Sequence, residues 1–81
     1  MSIATMNATV PIAVNRIIGE RGLKQGAVAE RAGMSNQMLS DMLNGRRLIK
    51  ARDVLALAKA LDVTPNDLFY RDTEPQTNQS A

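Results

Sequence analysis

The residues best equipped for chemistry fall in one short stretch, SNQMLSDMLNGRRLIKAR, from Ser35 to Arg52. Asn36 and Gln37 carry amides, each offering both a donor and an acceptor, and Asp41 adds a carboxylate that only accepts. Ser35 and Ser40 contribute hydroxyls, and Asn44, Arg46, Arg47, Lys50 and Arg52 follow with one more amide and four cations. On a helix, residues three and four apart share a face, so 36, 37, 40 and 41 line one side. That side can read the hydrogen-bonding edge of a base pair, and the cations behind it can neutralise phosphates.

Bond-making chemistry is poorly provided for. The chain has no cysteine and no histidine. It thus lacks thiolate ligands, the commonest general base and the commonest metal ligand. Its acids are scattered rather than paired, so the expectation is a protein that is not an enzyme, with no cofactor, metal or small-molecule substrate. Phe69 and Tyr70 are its only aromatic residues, too few to stack the bases of a single strand.

The net charge of +2 conceals a polarity along the chain. Residues 1–32 hold four bases and two acids, and residues 33–52 hold four bases against Asp41 alone. Residues 53–81 hold two bases and five acids. A basic middle beside an acidic end suits a polyanion on one side of the molecule. No secretory leader is visible at the start and no apolar run is long enough to cross a membrane, which points to the cytoplasm.

Eighty-one residues rich in Leu, Ile, Val, Met and Ala, without the alternation of a strand, predict one small all-α domain. Residues 1–8 read as a flexible N-terminal lead-in, 9–71 as the domain, and 72–81 (DTEPQTNQSA) as a disordered polar tail. Thr9-Val10-Pro11 reads as the start of a first helix with Ile12, Val14, Ile17 and Ile18 inward and Gly22 as its stop. A second helix runs from Gln25 to Ala32 and ends at Gly33. Ser35 is placed to cap a third, Asn36 to Leu43, stopped by Asn44-Gly45, with Leu39 and Met42 inward. Met34 and Met42 read as core filler, and Met38 as half exposed near the polar face. The fourth helix, in ARDVLALAKALD, turns Val54, Leu55, Leu57, Ala58 and Leu61 inward. Thr64-Pro65-Asn66-Asp67 opens a short fifth, in which Leu68 and Phe69 close over the core.

Two short helices joined by a Gly-containing turn make a helix-turn-helix, whose second helix enters the major groove by its leading end. The run LKQGAVAERAGMSNQMLSDMLNGRR, followed by LALAKALDVTPNDLF, resembles the lambda-repressor and Cro-like (XRE-type) helix-turn-helix family over about residues 10–70. The resemblance implies a compact five-helix lambda-repressor-like DNA-binding domain acting on double-stranded DNA. It implies that Gln25 bonds a phosphate and that Asn36, Gln37 and Asp41 take base-reading positions, with Ser40 beside them. It also implies that Asn44, Arg46 and Arg47 follow the DNA backbone, a stripe that Ser35, Lys50 and Arg52 extend. Where many members pair a buried arginine with a glutamate, this chain has Ile18 and Leu43, which are expected to touch.

The function expected is a sequence-specific transcriptional regulator, a small phage- or prophage-type repressor binding a pseudo-palindromic operator as a homodimer. Val63 to Tyr70 is its candidate dimer surface, with Phe69 and Tyr70 read as either core lid or dimer contacts. Two alternatives stand beside it: a restriction–modification controller protein, and an antitoxin or other protein-interaction module. Asp41 either reads a cytosine or repels wrong sites. Lys50 and Arg52, cations at the positive end of the fourth helix, read as a local misfit of up to about 1 kcal/mol that a phosphate would reverse.

Overall fold

The computed structural model describes residues 3–69. They form five helices: α1 (Ile3–Arg21), α2 (Gln25–Arg31), α3 (Asn36–Leu43), α4 (Ala51–Leu61) and α5 (Pro65–Phe69), with no strand among the described residues. The expected all-α order is therefore present, while the expected tail and Tyr70 lie outside the described residues.

One core serves all five helices. It is built from Met6, Val10, Ala13, Val14 and Ile17 of α1, Val28 and Ala29 of α2, and Leu39 and Met42 of α3. Ile49 of the connecting loop, Val54, Leu57, Ala58, Ala60 and Leu61 of α4, and Leu68 of α5 complete it. Small residues at 29 and 58 allow neighbouring backbones to approach, and α2 packs on both α3 and α4. Ile18 and Leu43 lie half-buried against this core, and α1 packs on α3.

The first helix corrects the sequence reading. It starts at Ile3 rather than Thr9, so residues 3–8 are helical and not a loose lead-in. Met6 is buried, one turn before Val10 on the same face as Val14 and Ile17. The short polar residues of ATMNAT hide that apolar spacing, and Pro11 reads as a start although it sits inside the helix. An interior proline removes one helical hydrogen bond, here the one that the Asn7 carbonyl would accept. The Asn7 side chain instead reaches across the fold: its Nδ2 donates to the Ile49 carbonyl at 3.1 Å, and its Oδ1 accepts from the Ile49 N–H at 2.8 Å. Thr9 likewise lies inside the helix, its hydroxyl donating to the Thr5 carbonyl.

Two apolar residues expected inside are outside. Ile12 is 51% exposed and Leu55 59% exposed. Each lies off the face that its neighbours define, Ile12 two residues from both Val10 and Val14, and Leu55 one residue after Val54.

Helix ends follow local rules. Gly33 has φ +75°, a left-handed conformation that residues with a Cβ avoid. There the Met34 N–H reaches back to the Ala29 carbonyl at 3.0 Å, closing α2 and turning the chain toward α3. Asp62 takes the same conformation at the end of α4, φ 58°. Arg21, from the end of α1, donates to the Leu61 carbonyl, a cation at the negative pole of α4. Thr64 and Asp67 cap α5 reciprocally, each accepting from the other's backbone N–H.

Asn7→Ala leaves the N–H and C=O of fully buried Ile49 without their partner. The expected cost is about 1–3 kcal/mol, read as a fall in the thermal unfolding midpoint by circular dichroism. Deleting residues 1–8 is expected to destabilise further, whereas removal of a loose lead-in would leave the midpoint unchanged.

Candidate nucleic-acid interface

α3 is only eight residues long, and helices of that length are marginal alone. Its start is fixed by Ser35, whose Oγ accepts from the Met38 N–H at 3.0 Å. Leu39 and Met42, both fully buried, hold one face down. Met38 is half-buried against the core, and so are Met34 and Leu43. The opposite side must then face outward. Asn36 and Gln37 are exposed at the leading end, with Ser40 and Asp41 half-buried one turn later.

The polar side chains are already organised. Gln25, at the start of α2, donates from Nε2 to Asn36 Oδ1 at 3.3 Å, tying the first helix of the motif to the tip of the second. Gln37 Nε2 donates to Asp41 Oδ1 at 2.9 Å, along the helix face. Arg46 Nη1 lies 3.6 Å from the same oxygen. The backbone N–H groups of Arg46 and Arg47 both turn back to the Asp41 carbonyl, at 2.8 and 3.2 Å. Asn44 donates from Nδ2 to the Ser40 carbonyl at 2.8 Å and to Ser40 Oγ at 3.3 Å, so its side chain closes the end of α3. Asn36 is thus tied to Gln25, while Gln37, Asp41 and Arg46 form a second connected set.

Beyond the turn, Arg47, Leu48, Lys50, Arg52 and Asp53 line a shallow recess. It gathers three of the four expected cations, while Arg46, its side chain 69% exposed, stays beside Asp41. Here the reading of a misfit at the start of α4 needs correction. Asp53 is buried, lies in the first turn, and accepts from the Lys50 N–H at 3.0 Å. An acid at that position satisfies a free donor and opposes the helix dipole, so α4 is properly started without any ligand. The sequence signal was present: Asp53 stands three residues after Lys50, where a reciprocal cap places its acid.

Of the proposed dimer segment, Leu68 is fully buried in the monomer, and Thr64, Asn66 and Asp67 are exposed. Val63 and Phe69 are half-buried against the core. Among the described residues, Ile12, Leu48 and Leu55 are the large apolar side chains most open to solvent. No group of His, Cys, Asp or Glu among the described residues is arranged to hold a metal ion. No described helix is long and apolar enough to cross a membrane.

Two short helices meeting through a left-handed glycine, the second held by its apolar face and exposing amides at its tip, define a helix-turn-helix domain. A helix-turn-helix family model matches residues 15–68. The chain belongs to this family, of lambda-repressor-like (XRE) type, and is a DNA-binding transcriptional regulator. Among solved structures it is similar to the restriction-modification controller protein C.AhdI from Aeromonas hydrophila, with 25% identity and a TM-score of 0.72. That likeness covers 78% of this chain and 96% of the other. Comparison with curated protein sequences finds no match.

Ser35→Ala is expected to cost about 0.5–2 kcal/mol by removing the α3 cap. Ser35→Asp should restore the unfolding midpoint, because aspartate caps equally well, yet weaken DNA binding by adding a negative charge beside the tip. Thermal denaturation and duplex binding on the same three proteins separate the two effects.

Proposed function

We propose that the protein is a sequence-specific repressor that lays α3 in the major groove of double-stranded DNA and binds as a homodimer. The observation that carries this reading is the outer face of α3, with Asn36 and Gln37 exposed at its leading end and a recess lined by Arg47, Lys50 and Arg52 following its far end in the chain. Asn36, Gln37 and Asp41 read base edges, with Ser40 supporting. Gln25, Ser35, Asn44, Arg46, Arg47, Lys50 and Arg52 hold phosphates. Phosphate contacts set the register and base contacts specify. Asn44 and Ser35 combine this with closing and capping α3.

A domain with one recognition helix reads few base pairs, so two copies on half-sites about 34 Å apart supply the remaining specificity. The half-buried Val63, between α4 and α5, and Phe69, at the end of α5, offer the contact between copies. The protein works in the cytoplasm, without catalysis or a cofactor, and its regulation follows its own concentration.

A second reading is favoured by the likeness to C.AhdI: that of a controller protein acting on a restriction–modification operon. Footprinting on the DNA upstream of its own gene and of the neighbouring genes distinguishes a controller from a phage-type repressor.

Selection from a random duplex pool, followed by a salt titration of the best site, tests DNA binding directly. Log affinity should fall with log salt, by about 0.9 for each phosphate neutralised. Arg46→Ala with Arg47→Ala should flatten that slope by about two, while Asn36→Ala should cost about 1–3 kcal/mol and relax one base position. A slope near zero for the unmodified protein would overturn the phosphate stripe. An even loss across all sequences would make Asn36 a backbone contact.

A further inference from the structure

We infer that Asp41 is a positioning residue for Gln37. It fixes the direction of the Gln37 amide so that this side chain selects an amino base, cytosine or adenine, over a keto base, guanine or thymine, on the strand it reaches. The inference rests on the proposed placement of α3 in the major groove.

A free glutamine amide has no such preference, because rotation by half a turn exchanges its donor and its acceptor. In this protein Gln37 Nε2 lies 2.9 Å from Asp41 Oδ1, one helical turn away. A carboxylate only accepts, so the nitrogen must face Asp41 and Oε1 must face away from it. The Gln25–Asn36 contact differs in kind: both partners are amides, and either could donate. Of the two amides at the α3 tip, only at Gln37 does the chemistry of the neighbour permit a single orientation.

The direction of Oε1 decides what it can meet. In the major groove cytosine presents its N4 amine and adenine its N6 amine, both donors. Guanine presents O6 and N7 and thymine O4, all acceptors that Oε1 cannot use. They can meet only the Nε2 hydrogen that Asp41 does not take, whereas an amino base uses Oε1 as well. Asp41 strengthens the same choice, since Gln37 and Arg46 both address Oδ1 and leave Oδ2 as a further acceptor. Every base pair carries one amine in the major groove, so the choice amounts to which strand carries it.

Magnitude determines when the lock matters. An exposed glutamine–aspartate pair one turn apart is a weak contact, biasing the free protein by only about two-fold. Closure against DNA removes the water that would tolerate a flipped amide. The flip would then set Oε1 against the carboxylate and leave buried polar groups unpaired, a penalty of about 5- to 150-fold. Arg46 reinforces this by keeping the Asp41 carboxylate beside the helix, at 3.6 Å.

The experiment is parallel selection from a random duplex pool with the full chain and its Gln37→Ala, Asp41→Asn and Asp41→Ala variants. Unfolding midpoints are recorded to confirm that each is folded. The base position that loses its preference in Gln37→Ala identifies the contact. There the unmodified protein should enrich cytosine or adenine on one strand by about 10-fold or more over guanine or thymine. Asp41→Asn keeps the size of the side chain but can donate as well as accept, and Asp41→Ala removes the partner. Both should bring the preference at that position below about three-fold. They should leave the position read by Asn36 unchanged.

A guanine or thymine preference in the unmodified protein overturns the inference. So does full retention of the amino preference in both Asp41 variants, even with tighter binding overall, which would limit Asp41 to a charge effect. Failure of the unmodified protein to bind any duplex would instead overturn the DNA-binding geometry, and the inference with it.

Discussion

The functional surface depends on the burial of Leu39 and Met42 beneath α3. An eight-residue helix lacks the length to be stable in water, so its existence and its rotation come from that contact. Burying two such side chains contributes about 1.5–3 kcal/mol each, more than any exposed polar contact on the outer face. Once residues 39 and 42 point inward, helical geometry leaves Asn36, Gln37 and the outer edge of Asp41 no direction but outward. The direction of the polar face is in this sense a consequence of packing. The amides face solvent because the leucine and methionine cannot.

The rest of the fold supports that orientation from behind. α1 lies against α3, α4 and α5, and its early residues fasten the loop that carries the cations. Asn7 holds both backbone groups of Ile49, and Ile49 is itself fully buried. Arg46, Arg47 and Leu48 therefore lie between two fixed points, the end of α3 and the anchored Ile49. The loop that carries Arg47 and Lys50 is tied down at Ile49 by an asparagine forty-two positions earlier. Asp53 starts α4 from within the same recess, so the cations there need no anion to make the helix acceptable.

Much of this could be read from residue order. The stops at Gly22, Gly33 and Gly45 follow from positive φ at each, and the Ser35 and Thr64 caps from short side chains that accept from the backbone. The inward positions of α2 and α3 follow from spacing, as does the polarity of the α3 tip. What escaped was the part without a strong local pattern. Met6 and Asn7 stand among small polar residues, and their partners in the core and the loop are distant in sequence. Pro11 argued for a helix start through its ordinary preference, and the packing of α1 overrode it. Ile12 and Leu55 show the opposite case, where apolar type suggested burial and helical phase denied it.

The sequence by itself determined the helical class, the punctuation between helices and the chemical identity of the outer face of α3, because each rests on local conformational preference or on side-chain type. Tertiary structure alone decided where the first helix begins, which apolar residues are left outside, and how the loop cations are held. It also decided how the two helices of the motif are tied together, joining Gln25 to Asn36. Those outcomes depend on distances between residues that are remote in the chain or on competing faces of one helix. Only the packing of the whole domain sets them.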